Sequence, residues 1–219
     1  MLFRPAGWNA RRDPRLRLVD GAGAFKAVGA QAGIAAVTSR ARSQALLAMG
    51  THVVPVELVG VDPDREPGTY RFVRQVQQGR YLQHADEGVV VVGRAIADRL
   101  AADLDDEVLA TAIGKGGDIE SIMLRIVGIV STGSEDIDAT VCQVNLADVE
   151  RLTGFSGPGE VTVVLDDWRQ ADAVKARLTP LVAAGNEVLT WGEISPEFKG
   201  HLEQDKRSEE HTSELQSRL

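Results

Sequence analysis

Apolar and polar residues alternate in short blocks along this chain, and the period of the alternation switches repeatedly between two and about 3.6. The opening segment 1–18, MLFRPAGWNARRDPRLRL, holds two prolines and little periodicity, so it predicts at most a short strand and then a loop. Asp20 to Ala32 reads as a helix, with Asp20 as its cap and Phe25 and Val28 on one face. Gly21, Gly23 and Gly29 weaken it. Two extended pieces follow, IAAVTSR at 34–40 and QALLAM at 44–49. VVPVELVGV at 53–61 is the clearest strand, and Pro55 within it predicts an edge position or a bulge. Asp62-Pro63 breaks that run. Thr69 to Gln77 predicts a short helix with Phe72, Val73 and Val76 on one side, ended by Gly79.

In the second half, Gly88 to Val92 reads as a buried strand, and Arg94 to Ala101 as a helix with Ile96, Ala97 and Leu100 inward. Glu107–Ile113 and Ile119–Ser131, joined by Gly114 to Gly117, predict a hairpin. Thr140–Val144 is a strand, and Leu146–Leu152 a helix with Asn145 as its cap. Glu160–Leu165, a long helix over Trp168–Ala184, and Glu187–Thr190 form a β-α-β unit. Ala171, Val174, Leu178, Leu181 and Val182 give that helix a core stripe. Ser195 to Lys206 predicts a further charged helix leading outward. The fold class is therefore α+β. Two α/β flanks, 1–62 and 140–194, enclose a strand-rich middle, 79–135, the pattern of one subdomain inserted in another.

The 219 residues suffice for one large domain or two small ones with a real core. A net charge of −8 argues against nucleic acid and against anionic lipid as general partners. The N-terminal arginines Arg11, Arg12, Arg15 and Arg17 are interleaved with Asp13 and Asp20 and read as a solvated start of chain. The one cysteine, Cys142, allows no internal disulfide and lies in a strand-like run, where a buried inert thiol is expected. That usage fits the cytosol and equally a periplasmic domain without disulfides. The longest purely apolar runs, such as VVVV at 89–92, fall far short of the ~18–20 residues of a membrane span. No secretory signal follows Met1.

The search for chemistry returns little. IGKGGDIES at 113–121 lacks the spacing and the Lys-Ser/Thr ending of a phosphate loop, and it joins two strands. The histidines His52, His84, His201 and His211 share no helical spacing, and SEDID at 134–138 lacks the ladder of a calcium loop. Ser121, Ser131 and Ser134 lie in or beside a strand without a nucleophile elbow. Asp105-Asp106 and Asp166-Asp167 read as turn residues and caps, and Trp191 as a packing anchor. No residue is assigned as catalytic, cofactor-binding or metal-binding, and no cofactor is expected.

The ordered pieces VVPVELVGVDPDRE (53–66), QGRYL (78–82), VVVVGRAIADRL (89–100), LRIVGIV (124–130) and LTWGEISPEF (189–198) together resemble the extracytoplasmic core domain of MacB/FtsX-like ABC-transporter permeases, in the lipoprotein-releasing LolC/LolE-type branch. The likeness extends over about residues 5–206 and rests on order and spacing. One departure stands out: Asp105-Asp106 occupies the place where the family usually has Gly-Asp. The resemblance implies a porter-like α/β subdomain made from both flanks, with a sabre-like strand-rich subdomain inserted. It implies a periplasmic domain of an inner-membrane protein, set between the first and second of four transmembrane helices. It also implies a separate ABC ATPase subunit acting through those helices, a second permease copy or paralogue, and cargo that is a lipoprotein or other exported compound passed to a periplasmic acceptor. The exposed loop tips 114–118 and 132–138 are the expected places of cargo contact. The alternative is a free-standing soluble binding module of similar fold.

The last thirteen residues, RSEEHTSELQSRL at 207–219, contrast with the rest. Arg207 to Ser217 resembles the translation of a common sequencing-library adapter, and the segment is expected to be a non-native tail. Residues 195–206 would then lead toward a transmembrane helix.

Overall fold

The computed structural model describes residues 1–8, 13 and 15–195. Arg11, Arg12, the charged helix expected beyond Ser195 and the tail 207–219 lie outside the described residues. The strands are β1 (Leu2–Pro5), β2 (Ile34–Met49), β3 (His52–Val61), β4 (Val76–Gly79), β5 (Val89–Gly93), β6 (Glu107–Ile113), β7 (Ile119–Val130), β8 (Val141–Asn145), β9 (Glu160–Leu165) and β10 (Asn186–Leu189). The α-helices are α1 (Gly21–Gly29), α2 (Arg94–Leu100), α3 (Glu135–Asp138), α4 (Leu146–Thr153), α5 (Ala171–Leu178) and α6 (Trp191–Ile194). Among the described residues the ten strands form one sheet, ordered β10-β1-β9-β2-β3-β8-β5-β7-β4, with β6 bridging β2 and β7. The mixed α+β class read from the sequence is the one observed.

β2 organises the molecule. The two extended pieces expected at 34–40 and 44–49 are one continuous strand. Its first half pairs with β9 (Thr38↔Thr162) and its second half with β6 (Leu47↔Ala110), while β3 runs along the other edge from Arg40↔Val61 to Met49↔His52. One core gathers Phe3, Val28, Val37, Val161, Val174 and Leu178 under α1 and α5. A larger one gathers Leu47, Leu58, Val90, Ile96, Leu124 and Leu152 under α2 and α4. A third, containing Val61, Phe72, Val89 and Val127, involves the loop after β3. Each fully buried leucine or valine of this kind contributes about 1.5–3 kcal/mol relative to leaving it in water.

Several expectations shift for identifiable reasons. Pro55 pairs with Leu46 on β2, and the parallel partner β8 begins only at Glu57, so the proline stands where β3 has an open edge. Thr69–Gln77 is a 3-10 turn, Arg71–Gln75, and then β4, because Val76 is drawn into pairing with Val130. The long helix over 168–184 is a 3-10 turn at Trp168–Gln170, then α5, then a second 3-10 turn at Thr179–Leu181. Pro180 cannot donate to the helix ladder, so α5 stops at Leu178. Ala171, Val174 and Leu178 are buried as the stripe requires, but Leu181 is exposed. The β-α-β unit is split, since β1 lies between β9 and β10 and runs antiparallel to both.

Candidate functional site at the polar face of the sheet

Side chains alternate across a strand, so Thr38, Arg40 and Arg42 share the face of β2 opposite Val37 and Ala41. Ordinarily such a face is solvated. Here it is covered by the loop after β3, and a charged network forms beneath it. Arg40 Nη2 lies 2.7 Å from Glu66 Oε1, and Thr38 donates to Glu66 Oε2 at 3.2 Å. Arg42 bridges Glu57 at 2.7 Å and Glu160 at 3.1 Å. Arg4, from β1, reaches Glu160 at 2.8 Å, and Arg40 stands 3.7 Å from the same carboxylate. Gln143 on β8 accepts from the Tyr81 hydroxyl at 2.6 Å and donates to Glu66 at 3.4 Å. Arg4 also stacks 3.4 Å over the Trp8 ring, and Arg40 5.1 Å from that of Tyr70. Glu66, Glu160, Thr38 and Gln143 are almost fully buried.

Charges in such a place persist only when paired. Burial disfavours ionised Glu160, but Arg42, Arg4 and Arg40 outweigh it and hold the carboxyl below its ordinary range. Burial likewise opposes charge on Arg42, yet Glu160 and Glu57 drive its pKa up. On Arg4 burial wins over Glu160 and the pKa falls. Burial pushes the hydroxyls of Tyr70 and Tyr81 up, away from ionisation. The carboxylates are therefore spent as acceptors for arginine, and the hydroxyls donate or stay neutral. What this arrangement can do is mechanical: it ties β1, β9, β2, β3, β8 and the covering loop into one polar joint.

The residues singled out in the sequence fall elsewhere. Cys142 is fully buried, and burial raises its thiol pKa. Ser121 shares a 2.9 Å hydroxyl contact with Thr111. In SEDID, Asp138 turns inward and accepts from Thr132 N at 2.9 Å and Thr132 Oγ1 at 2.7 Å. Asp167 caps the turn at Trp168–Gln170 by accepting from Arg169 N. Asp106 accepts from Asp103 N, and Asp105 takes a left-handed backbone with φ 68°. That is a conformation glycine adopts readily. Asn145 stands at the start of α4 but does not cap it; its amide donates to the carbonyls of Gln83 and Asp86. Trp191 meets Trp168 edge-on at 5.9 Å. Arg15 pairs with Asp13 at the exposed start of the chain.

The loop 114–118 closes the β6–β7 hairpin, flanked by the exposed Ile113 and Ile119. Beside it lies a cavity of about 290 Å³ lined by Leu46, Pro55, Thr111, Ile113 and Ile119. Leu46, Val53, Leu109 and Met123 extend this apolar sheet face. The pattern was visible only in part from sequence, because it depends on β2 pairing with the distant β6, from Ala45↔Ala112 to Ala48↔Leu109. One histidine, His84, stands beside Asp62 and Asp64.

The model of the MacB-like periplasmic core domain family matches residues 3–181. The extracellular domain of the noncanonic ABC-type transporter YknZ from Gram-positive bacteria superposes with a TM-score of 0.58 at 16% identity, over 86% of this chain and 97% of that one. The periplasmic region of MacB from Actinobacillus actinomycetemcomitans superposes with a TM-score of 0.58 at 17% identity, over 90% and 91%. Both share the fold. No curated protein matches the chain. No helix among the described residues is long and apolar enough to cross a membrane.

Proposed function

This chain belongs to the family of MacB-like periplasmic core domains, and we propose that it couples ATP hydrolysis on the far side of the membrane to the release or export of cargo. As the periplasmic domain of a MacB-like ABC-transporter permease, it would be moved by transmembrane helices that an ABC ATPase drives, alongside a second permease copy or paralogue. The cargo in this reading is a lipoprotein or another exported compound, handed to a periplasmic acceptor. The inner membrane is the proposed location of the whole protein. The family match over 3–181 is the observation that carries the reading.

The chemistry required of such a domain is positional. Nucleotide state must favour one arrangement of the domain over another, and a rigid body transmits that bias without loss. The Arg–Glu joint supports this role, because it makes the outer strands and the covering loop move together. Flanks 1–62 and 140–194 would act as the porter-like unit and 79–135 as the inserted sabre-like unit, with β2 running through both cores. Cargo contact is proposed at the loop tips 114–118 and 132–138, the first beside the apolar cavity at Ile113 and Ile119.

The test is a release assay with the full permease and its ATPase in membrane vesicles. Replacing residues 114–118 by a Gly-Ser turn should abolish cargo release while ATP hydrolysis continues. Unchanged release with both loop tips substituted would remove them as contact sites.

A further inference from the structure

We propose that Asp62, Asp64 and His84 form a binding site for a divalent transition metal of the zinc class, which clips the loop after β3 to the loop before β5. One donor atom from each of the three residues lies within 4.8 Å of the others. His84 Nδ1 stands 3.5 Å from Asp64 Oδ2. Two ligands held about 2.0–2.1 Å from a tetrahedral ion are roughly 3.3–3.4 Å apart, so the pair is already close to ligating distance. The side chains of His84 and Asp64 are 80% and 69% exposed and so are open to an ion from solvent.

A second observation comes from the buried wall of the same place. Asn145, at the end of β8, is only 6% exposed and lines one cavity of about 390 Å³ together with Asp62 and His84. Its Nδ2 is spent on the carbonyls of Gln83 and Asp86, on either side of His84, which fixes the loop that carries the imidazole. Its Oδ1 is buried without a hydrogen-bond partner. Buried acceptors are seldom left so. Water on a divalent cation is a strong donor, of the kind this acceptor lacks.

The donor set selects the metal. Imidazole nitrogen with carboxylates suits zinc and its transition-metal neighbours, whereas calcium takes six to eight oxygens and magnesium an octahedron of them. Three protein ligands leave a fourth position for water. Asp86 and Glu87 also line the cavity and add negative potential, although Asp86 is engaged by Arg80 at 2.6 Å. Asp62 is shared with Arg65 at 3.4 Å, a long exposed contact that a metal would displace. The site stands apart from the transport reading, and either can fail alone.

The experiment is calorimetric titration of the full 219-residue chain with zinc chloride, and separately with magnesium and calcium chloride. One equivalent of zinc should bind, and neither of the others at the same concentration. His84→Gln and Asp64→Asn should each weaken zinc binding at least tenfold, about the scale on which metal sites respond to lost partners. Their melting in metal-free buffer should be unchanged, because both side chains are exposed. Zinc affinity equal to wild type in His84→Gln would overturn the site. So would loss of binding in His201→Gln/His211→Gln with His84 intact.

Discussion

Arg40 on β2 holds Glu66 at 2.7 Å, and Glu66, in the turn that covers the sheet, is completely buried. The carboxylate has no water to fall back on. Removing the arginine leaves a buried carboxylate with only the neutral donors Thr38 and Gln143, and breaking a buried pair in this way costs about 3–5 kcal/mol. Arg40→Ala should therefore lower the melting temperature by roughly 6–20 °C at this chain length. Replacing both partners by apolar residues of similar volume should recover much of that loss. A single variant that melts like wild type would show that the joint is not held by this pair.

Glu160 sets an acid limit on stability. Its folded pKa lies below the ordinary glutamate value of 4.5, because the arginines around it outweigh burial. A carboxyl depressed on folding contributes stability that is full above its unfolded pKa and is lost as pH falls through the folded one. Denaturant midpoints should therefore hold from pH 7 to about 5 and decline below. Asp148, raised by burial, titrates with the opposite sign, so the comparison must be between wild type and Glu160→Gln. The variant should be less stable at pH 7 and show a shallower decline in acid. Parallel curves would contradict the assignment.

Asp105 occupies a left-handed backbone at φ 68°. A side chain without local hydrogen bonding is disfavoured there by roughly 1–2 kcal/mol. Asp105→Ala should lose about 1 kcal/mol, and Asp105→Gly should be at least as stable as wild type. Urea melts of the two variants check this, and a loss in the glycine variant as large as in the alanine one would contradict it.

Two glycines should respond oppositely to alanine. A Cβ on Gly93 would collide with the Asp138 carbonyl, where the start of α2 meets α3, and backbone cannot yield cheaply. Gly93→Ala should cost about 3 kcal/mol. Gly29, at the end of α1, has open space around it, and Gly29→Ala should stabilise by up to about 0.5 kcal/mol. Melting curves of both variants measure the contrast.

Regular elements with a single strong period were legible in the sequence. The run from Glu107 to Ile113 and the helix carrying Ile96, Ala97 and Leu100 stand where their patterns place them. The breaks were less so, and β2 shows why. Its middle, Ala41-Arg42-Ser43, reads as an interruption, because a charge normally leaves a strand's buried face. Arg42 stays because Glu57, on the hairpin partner β3, and Glu160, far along the chain on β9, neutralise it. The joint is invisible from any one segment for the same reason. So is the meeting of His84 with Asp62 and Asp64, which requires the loop that Asn145 anchors. The family resemblance was carried by the order of short motifs, which survives where local periodicity is ambiguous.

The most direct measurement is sequencing of the source DNA, upstream of codon 1 and through codon 206 onward. A permease domain should be flanked on both sides by ~20 apolar codons, with the RSEEHTSELQS stretch absent from the locus. The thirteen final codons read as genuine, followed by a stop and with no apolar segment on either side, would contradict the coupling role and leave a free-standing binding module.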